Sequence, residues 1–368
     1  MERRLDFVRL AEQASVPFTT LCAGFTIRPK TGYKWLRRFR EQGAAGLVDQ
    51  SRRPHTSPGA TPPEVVEQVA ALVAAHPTWG GRKLHAVLTT QGVAAPSPMT
   101  ITAIIQREGL RPAIQPATTA TTRFEAAAPN DLWQLDFLGP RPLQQGQVRA
   151  LTLLDDHARY ALTLAAVPDQ TFPTVQRVLT GCFERYGLPE AILTDNGPPW
   201  GSSRPETHTQ FEIWLWRYGV AVRHGRPGHP QTPGKVERLH RTIGLEVFQG
   251  PRLRDVAAAQ AAFDAWRDGY NHDRPHDALG LACPASRYQR SPQVWTPDPP
   301  PIVYADDAEV RMVSAKGVIT YANRRLYVGE AFRGLPVGLI PTATDGVLRL
   351  QFCTQTLRTI DLRTETSA

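Results

Sequence analysis

The sequence predicts a multidomain fold: all-α units at the N-terminus, a central α/β domain, and a small β-barrel at the C-terminus. Three observations predict it. The 368 residues are too many for one ordinary domain. Apolar residues recur at helical spacing up to about residue 110, then switch to strands followed by helices, then to short β runs. Stretches of weak order at 49–61 and 113–129, rich in Pro, Ser, Thr and Ala, divide these regions as linkers.

In the first region, Leu5, Val8, Leu10 and Ala11 suit a helix that Pro17 ends, and a second helix is expected from Phe18 to Phe25. The third, PKTGYKWLRRFREQG, opens with Pro29 in its first turn and stops before Gly43. Tyr33, Leu36 and Phe39 are expected to face inward, with Lys30, Lys34, Arg37, Arg38 and Arg40 spread over the other sides. Residues 1–48 therefore read as a helix-turn-helix DNA-binding domain with a basic recognition helix; a solvated basic face is the plainer alternative. Arg52 and Arg53 in the following linker are placed to touch phosphates. Residues 62–112 repeat the pattern, with EVVEQVAALVAAH, GRKLHAVLTTQG and a third helix opened by Ser97 or Pro98. A second helix-turn-helix-like DNA-binding unit is expected there, although its third helix carries few basic residues.

In the central region, residues 130–290, DLWQLDFLGP reads as a strand, VRALTLLDDHARYALTLAAV as a long hairpin and TFPTVQRVLTGCFERYG as an amphipathic helix. AILTDNG is a short buried strand ending in turn residues. Strands and helices in this order imply a mixed α/β sheet. Past the Pro-rich SPQVWTPDPPP, the runs VITYAN, RLYVGE, VGLIPTA and VLRLQF suggest the barrel at 300–368.

Composition narrows the function. With 41% hydrophobic and 21% charged residues, the chain is globular rather than disordered. No apolar run approaches the roughly 18 residues of a spanning helix, and MERRLDFVRLAEQ has no signal-peptide character, so a cytoplasmic protein without membrane contact is expected. Cys22, Cys182, Cys283 and Cys353 are far apart with no CxxC pair, which predicts reduced core thiols rather than a zinc site. The net charge of +8 favours a polyanionic partner, and nearly all of the excess lies in residues 1–129.

Three carboxylates could carry chemistry. Asp136 lies inside an apolar strand between Leu135 and Phe137, where a carboxylate is costly unless something binds it. Asp195 stands at the end of a strand, where ligands gather in open α/β sheets, or in a plain turn with Asn196 and Gly197. Glu237 follows Gly234 at the start of a helix, where the dipole alone would favour an acid. Oxygen ligands of this kind suit Mg²⁺. Glu206 and Glu212 are rival third carboxylates, and the pair Asp155–Asp156 fits a hairpin role. His157 and Arg159 could approach DNA from that hairpin, and His229 and His240 are candidate substrate contacts. Asn271, Arg274 and His276 fit structural or DNA-contact roles.

The segments WQLDF, LTDNGPPW, GRPGHPQTPGKVERLHRTI and YNHDRPHDALGLACPASRY resemble the integrase-type core of bacterial insertion-sequence DDE transposases, related to retroviral integrases. The resemblance covers about residues 130–290 in order. It implies an RNase H-like catalytic domain with Asp136, Asp195 and Glu237 as catalytic and metal-binding residues. It further implies Mg²⁺, as two ions with Mn²⁺ as a substitute, and a bacterial cytosolic setting. Lys235, Arg238 and Arg241 would then face phosphates. The interval between Asp195 and Glu237 is longer than is usual in retroviral integrases, and its excess falls in PPWGSSRPETHTQ. The implied enzyme is a polynucleotidyl transferase that binds the inverted repeats of its element in double-stranded DNA. It would free a 3′-OH by hydrolysis and join that end to target DNA, as a homo-oligomer on DNA. The alternatives are an inactive DNA-binding regulator derived from a transposase and a structure-directed nuclease on the same fold.

Overall fold

A computed structural model describes residues 2–49, 61–110, 124–202, 207–225 and 234–364. The chain divides into two compact units, Met1–Thr61 and Pro62–Ala368.

The first unit holds α1 (Glu2–Gln13), α2 (Phe18–Gly24) and α3 (Pro29–Gln42). Phe7, Val8, Leu21, Cys22, Leu36 and Leu47 form its core, with the Phe18, Phe25 and Trp35 rings edge-on to Phe7. Tyr33 departs from expectation: it is 60% exposed and stacks on Phe18. Gly32 occupies the inward position instead, because a Cβ there would stand 2.8 Å from Cys22 Sγ and from the Phe7 ring.

The second unit opens with α4 (Pro63–Ala75), α5 (Gly81–Thr90) and α6 (Pro98–Arg107), around Val69, Val73, Trp79, Leu84, Leu88, Ile101, Ile104 and Ile105. Ser97 caps α6 by accepting from the Thr100 N–H.

A five-stranded sheet follows, in the order β3-β2-β1-β4-β5. It is built from β1 (Trp133–Pro142), β2 (Gln147–Asp155), β3 (Ala161–Val167), β4 (Ala191–Thr194) and β5 (Ala221–His224). The first three strands are antiparallel, and β4 and β5 join them in parallel. Alternation along the strands sends Leu135, Leu151 and Leu153 to one face, against α7 (Phe172–Tyr186) and α8 (Gln210–Arg217). Leu138, Ala150 and Leu154 go to the other, against α9 (Gly234–Glu246) and α10 (Val256–His272). A sheet with helices on both faces leaves its strand ends as the natural place for a site.

The last six strands are β6 (Glu309–Met312), β7 (Val318–Tyr321), β8 (Arg324–Tyr327), β9 (Pro336–Pro341), β10 (Val347–Phe352) and β11 (Gln355–Asp361). They form two open sheets, β11-β10-β9-β6 and β7-β8, rather than the expected closed barrel. Closure is unnecessary because both sheets cover one core of Ile319, Leu326, Phe332, Leu339, Leu350 and Phe352, to which α8 adds Ile213 and Trp216. Cys22 and Cys182 are buried and Cys283 and Cys353 half-buried, all as free thiols.

The α5–α6 crossing gives a test. A Cβ on Gly81 would collide with the Pro98 carbonyl, whereas one on Gly80 meets nothing within 4 Å. Gly81→Ala is expected to destabilise the chain by ~1–3 kcal/mol, although alanine is intrinsically the better helix former. Gly80→Ala is expected to be near neutral. Urea unfolding checks both, and equal midpoints would contradict the packing.

Candidate active site

Asp136 sits on the central strand β1, opposite Thr152 of β2, with its side chain 30% exposed. Its Oδ1 accepts from the Phe137 N–H at 2.7 Å. Burial pushes its carboxyl up to about 6; the Phe137 N–H pulls against this, and the negative charges of Asp195 and Glu237 push it further. Three separate elements thus bring three acids into one field. Asp195 follows β4, exposed, with its Oδ1 accepting from the Gly197 N–H at 3.0 Å. Glu237 lies exposed in the first turn of α9. Among the described residues, no group of three His, Cys, Asp or Glu stands close enough to form a ready-made metal cage.

The acids are braced from behind. Thr152 Oγ1 donates to the Asp136 carbonyl at 2.9 Å and lies 2.7 Å from His240 Nε2. With the hydroxyl hydrogen so engaged, Nε2–H donates to Thr152 and Nδ1 is the bare nitrogen. Nδ1 stands 3.8 Å from Asp136 Oδ2. Burial, then the charge of Arg141, lowers the imidazole to about 4, so this contact at neutral pH is not an ion pair. One turn earlier on α9, Lys235 Nζ meets Asp156 Oδ2 at 2.5 Å and lies over the Phe124 ring. Asp156 is fully buried and also accepts from the Ala126 N–H and Gln134 Nε2. Lys235, expected at a phosphate, is therefore turned inward as the anchor of the first turn of α9. Asp155 accepts from the Asn130 and Ala158 N–H groups and holds the turn after β2, the hairpin role expected of it.

Glu212 has a structural place. It closes the capping box of α8 with Thr209 and receives His224 Nε2 at 3.2 Å. Burial alone would raise its carboxyl, but His208, His224 and the Thr209 N–H outweigh that and hold it at about 2. His224 Nδ1 reaches the Asp195 carbonyl at 3.0 Å, so this cluster positions the end of β4. In YNHDRPH, Asn271 exchanges two hydrogen bonds with the Ala161 backbone, and Arg274 pairs with Glu246 at 2.6 Å. Both serve packing. His276 is half-buried.

Arg238 and Arg241 are exposed on α9. In the first unit, Lys30, Lys34, Arg37 and Arg40 are exposed on α3 and Arg38 is half-buried; Arg37 and Arg40 stand 3.9 Å from Glu41 and Glu12. Arg52, Arg53, Glu206 and His229 lie outside the described residues. Sequence reasoning missed Thr152 and left His240 undecided. Their signals were a lone hydroxyl in the apolar run LTLL and a three-residue spacing that places His240 on the Glu237 face of α9.

Asp136 allows a stability test. Its folded value of about 6 lies above the ordinary 3.8, so the folded chain holds this proton more tightly than the unfolded one. That contribution is complete below pH 3.8 and is lost as pH rises through 6. Above pH 6 and without divalent ions, Asp136→Asn is expected to melt at a higher temperature than the wild type, with the gain shrinking below pH 4. A melting point at pH 8 equal to or below the wild type's would contradict the buried-charge assignment.

Several segments of the chain match known families. Residues 126–230 and 218–284 match integrase core domains, and residues 308–368 match the IS481 family transposase C-terminal domain. Residues 3–55 match a helix-turn-helix domain and residues 31–105 a homeodomain-like domain. An uncharacterized protein of insertion element IS407 from Burkholderia multivorans is 27% identical over 56% of this chain and 74% of its own length. One of insertion element IS476 from Xanthomonas euvesicatoria is 25% identical over 71% of this chain and 78% of its own. A chain of the simian T-cell lymphotropic virus intasome, bound to PP2A regulatory subunit B56 gamma, aligns over 77% of this chain and 91% of its own, at 15% identity and a TM-score of 0.41. The chain thus carries an integrase-type core and a C-terminal domain of the IS481 transposase family, and it is similar to proteins of bacterial insertion elements.

Proposed function

We propose that the chain binds the inverted repeats at the ends of its own element in double-stranded DNA, hydrolyses a phosphodiester to free a 3′-OH, and joins that end to target DNA. The observation that carries this reading is the Asp136 carboxyl, raised to about 6 first by burial and then by the charges of Asp195 and Glu237. A partly buried carboxylate that faces two further acids is costly to ionise unless a cation offsets its charge.

The donor set fits a hard divalent cation, because all three groups offer carboxylate oxygens. Asp136, Asp195 and Glu237 would hold Mg²⁺, as two ions, with Mn²⁺ as a substitute. Bound there, the ions would supply activation of the attacking oxygen and charge stabilisation of the leaving one. The chain's own residues do the positioning. Thr152 and His240 fix the Asp136 backbone, Lys235 fixes the first turn of α9 beneath Glu237, and the Glu212–His224 pair fixes the carbonyl of Asp195. Arg238 and Arg241, exposed beside Glu237, would take phosphates near the reacting bond, and Lys30, Lys34, Arg37, Arg38 and Arg40 of α3 would hold the element end elsewhere. Joining two ends calls for more than one copy on DNA, in a bacterial cytosol.

The test is strand joining by the full chain on linear duplexes that carry the DNA flanking its gene, in Mg²⁺. Joined products are expected from the wild type. Asp136→Asn and Glu237→Gln should each lower the rate by at least ~10²-fold, since each removes electrostatic stabilisation at the reacting centre. Either variant joining at the wild-type rate would overturn the assignment, and a footprint on those ends without cleavage in any metal would point to a regulator instead.

A further inference from the structure

Arg141 is a cation without an evident purpose. It lies on β1 five residues past Asp136, beyond the bulge that shifts the β1–β2 register between Leu138 and Arg141. Its side chain is half-buried, and its Nε is shielded from solvent with no hydrogen-bond partner. Among the described residues no carboxylate lies within ion-pair distance of it. Its neighbours are the Phe248 ring, with the guanidinium carbon 5.8 Å from the centroid, and Gly244 of α9, whose absent Cβ would stand 3.6 Å from Nη2.

That second neighbour places it. Gly244 lies seven residues after Glu237 and four after His240, so the three share one face of α9. The guanidinium fills the position along that face where α9 itself has no side chain. Its charge reaches His240 and helps keep the imidazole low. A lysine so placed could shed its proton, but a guanidinium cannot, so Arg141 must find an anion or remain uncompensated. The plainer role is service to the carbonyls at the end of α9. Among the described residues, however, none of those carbonyls accepts a hydrogen bond from it.

Among the described residues none supplies that anion, which points to one from outside the chain. Seven residues of helix span ~10 Å, and one DNA strand rises ~3.4 Å per nucleotide, so a strand that followed this face of α9 from a reacting bond at the acids would pass Arg141 about three nucleotides away. We propose that Arg141 binds a backbone phosphate of the DNA strand running through the site, about three nucleotides from the reacting bond. This rests on the reading that the site acts on DNA.

The test measures binding of the full chain to a short duplex carrying the gene-flanking sequence, in EDTA, across a range of salt concentrations. For Arg141→Gln, the slope of log K against log salt is expected to flatten by ~0.9, the contribution of one neutralised phosphate. Arg141→Lys should keep the wild-type slope. A purely structural role would weaken binding at an unchanged slope, and that result overturns the assignment while leaving the DNA reading intact. A wild type with no salt-dependent binding overturns both. Because Arg141→Gln could fail to fold, a neutral methylphosphonate is also placed singly at the second to fourth phosphates from the end, in complex with the wild type. One position is expected to flatten the slope by the same ~0.9, and no effect at any of them overturns the proposal.

Discussion

A carboxylate on the middle strand of a sheet covered on both faces is the constraint around which this site is built. Asp136 loses much of its hydration there and faces two more acids, and these effects together raise its carboxyl to about 6. Rigid supports hold the group in place. A tight sheet register sets β1 against β2, and Thr152 ties the Asp136 carbonyl to an uncharged His240. A charged His240 would instead have lowered the Asp136 carboxyl.

The other two acids are held by ion pairs set back from the site. The buried pair Lys235–Asp156 pins the first turn of α9, and Glu212 holds His224 against the carbonyl that follows β4. Removing Lys235 would leave the buried Asp156 without an opposite charge, which is far more costly than the pair is worth as a stabiliser. In both cases the charge that looks chemical in the sequence is structural, and the acids beside it stay exposed.

The order of α and β segments was legible, and the three acids stood out as candidates, because each left a local mark: an acid in an apolar strand, turn residues after a short strand, a basic helix opened by proline. Contacts between distant residues leave no such mark. Lys235 looked like a phosphate contact because its partner Asp156 lies far away in sequence and is fully buried. Glu212 could be set aside only by analogy until its capping box and its histidine partner were visible. Helix α10 and strand β5 went unassigned: the first is masked by an alanine-rich run, the second is four residues long. The open C-terminal sheets escaped notice because whether strands close depends on what covers their free side, here α8.

The central claim is that burial holds the Asp136 carboxyl near 6 and that this group would bind a divalent ion. Calorimetric titration with Mg²⁺ at pH 6, in two buffers of different ionisation enthalpy, counts the protons released on binding. With the carboxyl at about 6, roughly half a proton per chain should leave the wild type, and none should leave Asp136→Asn. Mg²⁺ binding to the wild type with no proton release, or with the same release in Asp136→Asn, would contradict the account.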